Sequence, residues 1–148
     1  MESKQIAQAT IIGALYLVLG MLFYPISFGA VQVRVSAALT PLIAVLGWPA
    51  LAGLTIGGFI YNYTSPLGMI DMLTVILVIP PRLLMLKYGL KATILNVLVV
   101  SLWVPYMLMT AYGLPYWPLV ISVGVGEVIS ELVLGIPLAL AVKNRLKI

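Results

Sequence analysis

Apolar stretches follow one another along nearly the whole chain and are interrupted by short groups of proline, glycine and polar residues. A membrane helix needs roughly 20 residues to cross about 30 Å of hydrocarbon, so 148 residues allow about six crossings. The interruptions predict spans at about 6–23, 33–46, 50–63, 69–86, 90–111 and 117–142. We therefore predict an all-α integral membrane protein in which residues 1–148 form a single domain of six transmembrane helices.

Two features of this pattern depart from regular helical spans. Residues 28–36 alternate apolar and polar side chains, which predicts a short extended loop between helices 1 and 2. In span 4, Pro80 and Pro81 remove two backbone donors, so either a kink lies there or Pro80 begins a separate interfacial helix. Spans 2 and 3 are short and need tilt or local thinning of the bilayer.

Composition supports the membrane assignment and removes several chemistries. Charged residues make up 8% of the chain, against about 25% in soluble domains, and hydrophobic residues make up 63%. A soluble enzyme and a disordered chain are therefore excluded. Because Cys and His are absent, we expect no disulfide, thiol nucleophile or zinc site, and no metal or cofactor. No phosphate-binding loop is present, so the chain alone is not expected to hydrolyse ATP, and we predict that it is not an enzyme.

The distribution of basic residues predicts the orientation. With six spans and a cytoplasmic N-terminus, six of the eight basic residues fall on the cytoplasmic side of a plasma membrane: Lys4, Lys87, Lys91, Lys143, Arg145 and Lys147. Both termini are then cytoplasmic. The small net charge of +4 indicates topology and contact with lipid headgroups, not binding of nucleic acid. Arg34 is the one basic residue on the opposite side.

Ionisable residues at membrane depth are costly and point to function. Arg34 either snorkels to the membrane interface or places the N–H donors of its guanidinium in an outward-facing pocket. Glu127 and Glu131 share a helix face with Gly124 and Gly135, and this face must contact protein or water. The two glutamates are either a buried structural pair or ligand-binding groups, and one of them is a candidate partner for Arg34.

Four further polar or aromatic positions have different interpretations. Arg82 lies near the cytoplasmic end of span 4, where snorkelling is the favoured interpretation. Asp71 begins the same span, where capping of the helix N-terminus is favoured. Asn62 is a buried amide that could reach a ligand, and Trp103 lies deeper than an interfacial belt residue, which makes it the best candidate for stacking.

Span 1 concentrates small residues. Ala9 with Gly13 and Thr10 with Ala14 each have the small-xxx-small spacing that allows close helix packing. Packing inside the bundle and docking to another protein explain this surface equally well.

Several motifs resemble those of the QueT family, in the same order and over nearly the whole chain. They are residues 25–36 (PISFGAVQVRVS) with 38–40 (ALT), residues 53–62 (GLTIGGFIYN) with 65–71 (SPLGMID), and residues 126–129 (GEVI) with 134–138 (LGIPL). The resemblance implies the substrate-binding (S) component of an energy-coupling factor (ECF) transporter. Such components have six spans, bind a micronutrient near the outer face, and work with a coupling membrane protein and two ATPase subunits.

The resemblance also implies a cargo and a use for span 1. The family is assigned to the uptake of queuosine precursors, which are 7-deazaguanines such as preQ0, preQ1 or queuine. Small residues on the first helix of S components meet the coupling protein, which favours docking through Ala9, Thr10, Gly13 and Ala14.

A deazaguanine offers adjacent N–H donors, a carbonyl and a flat ring, which suit carboxylate, arginine or amide, and aromatic side chains. On this basis we expect the following residues to bind substrate: Gln32, Arg34, Asn62, Trp103, Glu127 and Glu131. Ala37 departs from the family pattern, which usually has an acidic residue there, and leaves the cargo open.

The alternatives are an S component for another vitamin or amino-acid-like nutrient, a small membrane enzyme, a non-transporting scaffold, and transport without ATPases. The absence of His and Cys argues against the membrane enzyme. A scaffold would give no functional role to Arg34, Asn62 and Glu127.

Overall fold

The computed structural model describes residues 2–27 and 32–147, which form helices and connecting turns without a strand. The first half contains α1 (Ser3–Leu22), a single turn α2 (Tyr24–Ser27), a 3-10 segment (Val35–Leu42), α3 (Ile43–Leu46) and α4 (Trp48–Tyr63). The second half contains α5 (Met69–Leu77), α6 (Ile79–Tyr88), a 3-10 turn (Gly89–Ala92), α7 (Thr93–Tyr112), α8 (Tyr116–Glu127), a π-helical segment (Val128–Gly135) and α9 (Ile136–Leu146). The predicted all-α fold is confirmed for these residues.

Within the part of the chain that the structure describes, three helical stretches are long and apolar enough to cross a membrane. They are Ser3–Leu22, Met69–Tyr112 and Tyr116–Leu146, and a shorter apolar helical stretch runs over Val35–Leu46. Large apolar side chains are exposed all along the bundle, which suits contact with lipid. The chain is a membrane protein with three candidate spans, and six crossings remain a proposal.

The Met69–Tyr112 stretch is not one straight rod. The predicted interruption lies at Val78, which separates α5 from α6, and both prolines sit in the first turn of α6, where a missing N–H costs little. Gly89 ends α6 with φ of 68°, a conformation that favours glycine. The chain reverses there, so that α7 packs antiparallel against α5 and α6.

The predicted span 2 begins with an unusual helix. Val35–Leu42 is 3-10 helical over eight residues and contains Pro41, whereas 3-10 runs longer than four residues are uncommon. Its rise of about 2.0 Å per residue exceeds the 1.5 Å of an α-helix, so this form lengthens a short span. Of the predicted extended loop, residues 28–31 lie outside the described residues, and residues 32–34 are irregular before the 3-10 segment begins at Val35.

Among the described residues, the most extensive packing joins α1 with α4, α7 with α8, and the 3-10 segment with the π-helical segment. Glycines allow the first pair to approach closely. A Cβ on Gly13 would lie 2.9 Å from the carbonyl oxygen of Gly53, and a Cβ on Gly57 would lie 2.7 Å from that of Gly13. The 3-10 and π-helical segments meet where Gly135 packs against Ala38 and Pro41.

Candidate functional site

A small cavity at the centre of the bundle is surrounded by polar side chains. We call it the polar cavity, and its charged and amide-bearing lining residues are Arg34, Asn62, Arg82, Asn96, Glu127 and Glu131. They come from the start of the 3-10 segment and from α4, α6, α7, α8 and the π-helical segment. The volume of about 20 Å³ is roughly the space of one water molecule. Four of the six residues expected to bind substrate are thus brought together.

Arg34 forms an ion pair with Asp71. Both side chains are buried, with 6% of Arg34 and 0% of Asp71 exposed, and Nη2 of Arg34 lies 3.7 Å from Oδ2 of Asp71. The hydroxyl of Thr74 donates to Oδ1 of Asp71 at 3.1 Å, and the amide of Asn62 donates to the Asp71 carbonyl at 3.0 Å. Asp71 is therefore held from three sides.

These contacts correct two interpretations from the sequence. Arg34 does not snorkel, because its guanidinium is buried beside Asp71. Asp71 does not cap α5, since the helix has no side-chain cap hydrogen bond and the carboxylate faces Arg34 instead. An acid in the first turn of a helix favours capping, and a partner on another element is not visible in the sequence.

Glu127 and Glu131 lie on the opposite wall and are almost fully buried, with 2% and 1% exposed. Glu127 ends α8, and Glu131 lies within the π-helical segment. The amide of Asn96 donates to Oε1 of Glu131 at 2.6 Å. Of the two predicted environments for this face, protein or water, the structure shows protein: Gly124 lies against Ser101, and the face ends at the tightly packed Gly135.

Arg82 and Asn96 were not expected in the site. Arg82 is only 6% exposed and lines the polar cavity, so the snorkelling interpretation is wrong. Its positive charge acts on both Glu127 and Glu131. Asn96 is buried on α7, and the signal that could have found it is an amide within the apolar run of residues 94–100.

A second, larger pocket adjoins the polar cavity. We call it the Gln32 pocket; its volume is about 350 Å³, and Arg34 lines both spaces. Most of its wall is apolar, and its polar lining groups include Gln32, Tyr112 and Ser122. Gly126 lies directly against the backbone carbonyl of Gln32, which ties this segment to α8.

Trp103 is placed behind the site. Its indole N–H donates to the hydroxyl of Thr74 at 3.2 Å, and its ring lies 5.8 Å from that of Tyr106. Trp103 is not one of the described residues that line the polar cavity or the Gln32 pocket. Through Thr74 it braces Asp71 and hence Arg34.

The four small residues of α1 divide into two sets. Gly13 is buried and Ala9 half-buried against α4, whereas Thr10 and Ala14 are exposed. All four line an apolar groove of about 410 Å³ between α1 and α4, which we call the α1 groove. Bundle packing therefore accounts for Ala9 and Gly13 but not for Thr10 and Ala14.

Comparison with known families gives one result that covers most of the chain. A family model described as QueT transporter matches residues 6–144. Comparison with curated proteins and with solved structures gives no match.

Proposed function

Because the chain belongs to the QueT transporter family, we propose that it is the substrate-binding S component of an ECF importer in the plasma membrane. The observation that carries this proposal is the polar cavity: charged and amide groups from six elements converge inside an otherwise apolar bundle. Buried charges in a membrane protein are costly and commonly mark a substrate path. A non-transporting scaffold gives no reason for their convergence.

We propose that the chain crosses the membrane six times as a single domain and that both termini are cytoplasmic. Support comes from the antiparallel packing of α7 on α5 and α6 and from the basic residues around Gly89 and at the end of α9. The chain has no cysteine, so single cysteines can be introduced directly. An impermeant maleimide should label Leu114→Cys in intact cells and Lys91→Cys only after permeabilisation. The reverse pattern would show that the chain has the opposite orientation in the membrane.

For the cargo, we propose a queuosine precursor of the 7-deazaguanine type. The acceptors Glu127 and Glu131 suit its exocyclic N–H groups, and the guanidinium groups that line the cavity suit its carbonyl. The polar cavity holds only about one water, whereas the Gln32 pocket lies in the usual range for small-molecule sites, about 300–1,000 Å³. We infer that the base enters through the Gln32 pocket and reaches the polar groups when Arg34 moves.

The decisive experiment is direct binding to the purified protein. Deazaguanine bases are compared with other vitamins and with amino acids by titration calorimetry. We expect a deazaguanine to bind tightly and Glu127→Gln to weaken it at least about tenfold, because a buried acceptor for two N–H groups is lost. The exposed Glu2→Gln is the control. Tight binding of another nutrient, with no deazaguanine bound, would disprove the proposed cargo but remain consistent with an S component.

The proposed partners are a coupling membrane protein and two ATPase subunits, within the lipid bilayer and without nucleic acid. The α1 groove is the proposed contact with the coupling protein, because its exposed Thr10 and Ala14 leave room for a second helix. Ala14→Leu should abolish co-purification of the complex without changing substrate binding. Ala7→Leu, on the same helix but outside the groove, is the matched control.

No complex with the wild-type chain, or equal yields from Ala14→Leu and Ala7→Leu, would refute docking through this groove. Gly13→Leu is not a suitable test, because any side chain there strikes the backbone of Gly53 inside the bundle.

A further inference from the structure

Arg82 is a buried arginine whose guanidinium does not use all of its hydrogen-bond donors. Within the described structure, its Nε and Nη1 atoms are inaccessible to solvent and have no hydrogen-bond partner. Glu127 and Glu131 lie within electrostatic range of its charge, but a guanidinium also needs acceptors for its N–H groups. Buried polar groups without partners are rare and call for an explanation, such as a ligand that completes them.

Two amide oxygens at the same cavity are also without partners. Asn96 uses its NH₂ group on Glu131, and Asn62 uses its NH₂ group on the carbonyl of Asp71. In each case the committed group fixes the orientation of the amide and leaves Oδ1 without a partner. The polar cavity therefore presents N–H donors from Arg82 and oxygen acceptors from Asn62 and Asn96.

The antiparallel packing brings Arg82 and Asn96 to the same level of the bundle. The indole N–H of Trp103 donates to the hydroxyl of Thr74 across this packing. Because the two helical stretches run in opposite directions, a residue eight positions after Thr74 lies opposite a residue about eight positions before Trp103. Arg82 and Asn96 satisfy this spacing, and both line the cavity. A donor and an acceptor at the same level of one cavity are complementary to a carbonyl next to an N–H.

We propose that Arg82 and Asn96 read the lactam edge of the bound base: Arg82 donates to the ring carbonyl and Oδ1 of Asn96 accepts the adjacent ring N–H. This inference rests on the proposed function and adds a specificity-determining pair to it. An amidine edge, with an amino group in place of the carbonyl and a bare ring nitrogen in place of the N–H, sets donor against donor and acceptor against acceptor. Sites built to bond specific N–H and C=O groups reject such mismatches strongly.

The test compares two bases that differ only at this edge: 7-deazaguanine and 2,6-diamino-7-deazapurine. The wild-type protein should bind the diamino base at least about 100-fold more weakly, since two buried pairs are left unmade. Arg82→Met should weaken binding of 7-deazaguanine and reduce the ratio of the two affinities to below about tenfold. Arg145→Met, on the exposed end of α9, should leave the ratio unchanged.

A purely structural role for Arg82 would weaken both bases equally and leave their ratio intact, which would overturn the proposal. If Arg82→Met does not fold, Asn96→Ala provides the same readout, because it removes the acceptor without touching the guanidinium. Equal affinity of the wild-type protein for both bases overturns the inference alone. Binding of neither base overturns the proposed cargo and the inference together.

Discussion

The close contact of α1 and α4 leads to a prediction with a built-in control. Gly57 and Gly58 are adjacent in α4, but only Gly57 meets the backbone of α1. A Cβ on Gly57 would lie 2.7 Å from the carbonyl oxygen of Gly13, whereas a Cβ on Gly58 would lie 3.9 Å from the ring of Tyr16, an ordinary contact. Since the obstacle at Gly57 is backbone, the two helices must separate for an alanine to fit.

The magnitude follows from two terms. Replacing a helical glycine by alanine gains about 1 kcal/mol in helix propensity, and this gain is common to both positions. Forcing an extra methyl group into a packed interface costs about 1–3 kcal/mol, and this cost applies only to Gly57. The free energies of unfolding of Gly57→Ala and Gly58→Ala should therefore differ by about 1–3 kcal/mol, with Gly58→Ala the more stable.

Thermal unfolding in a mild detergent, without substrate, measures this difference. For a chain of this size, each kcal/mol corresponds to a shift in Tm of about 2–4 °C, so the two variants are readily separated. Equal Tm values for Gly57→Ala and Gly58→Ala would show that α1 and α4 do not approach as closely as described, and would refute the reasoning.

Three further outcomes are expected. Asp71→Asn should lower the free energy of unfolding by about 3 kcal/mol, because it removes the carboxylate that pairs with the buried charge of Arg34, and adding Arg34→Gln should restore part of the loss in a double-mutant cycle. Trp103→Phe should cost about 1 kcal/mol of stability while changing the substrate Kd less than about threefold. In titrations, Gly126→Ala should weaken substrate binding, because its Cβ meets the backbone two residues before Arg34, whereas Gly124→Ala should not.

Much of the architecture was predictable because membrane segments can be recognised from local patterns in the sequence. The helical content and the break at residues 78–81 follow from apolar run length and from proline. The protein-facing stripe of Glu127 and Glu131 follows from helical spacing and from the cost of charge in lipid. Each of these arguments needs only residues within one segment.

The interpretations that failed concern contacts between segments. Arg82 and Asp71 were judged by their positions near helix ends, where snorkelling and capping are common outcomes. Their actual neighbours, Glu127 and Arg34, come from elements distant in the sequence. Likewise the 3-10 segment Val35–Leu42 packs against the π-helical segment, a contact between distant elements that a local sequence pattern does not show.

The π-helical segment has a consequence for how the length of the chain can vary. π-Helical turns are wider than α-helical turns and commonly arise where a helix accommodates an additional residue. Deleting one residue within Val128–Gly135 would therefore let this segment tighten to α-helical turns and keep α9 near its present orientation. The same deletion in the regular turns of α8 would turn everything after it by about 100° around the helix axis, so that Lys143 and Arg145 would face a different side of the bundle. The π-helical segment is thus the stretch of this long helix in which a change of length disturbs α9 least.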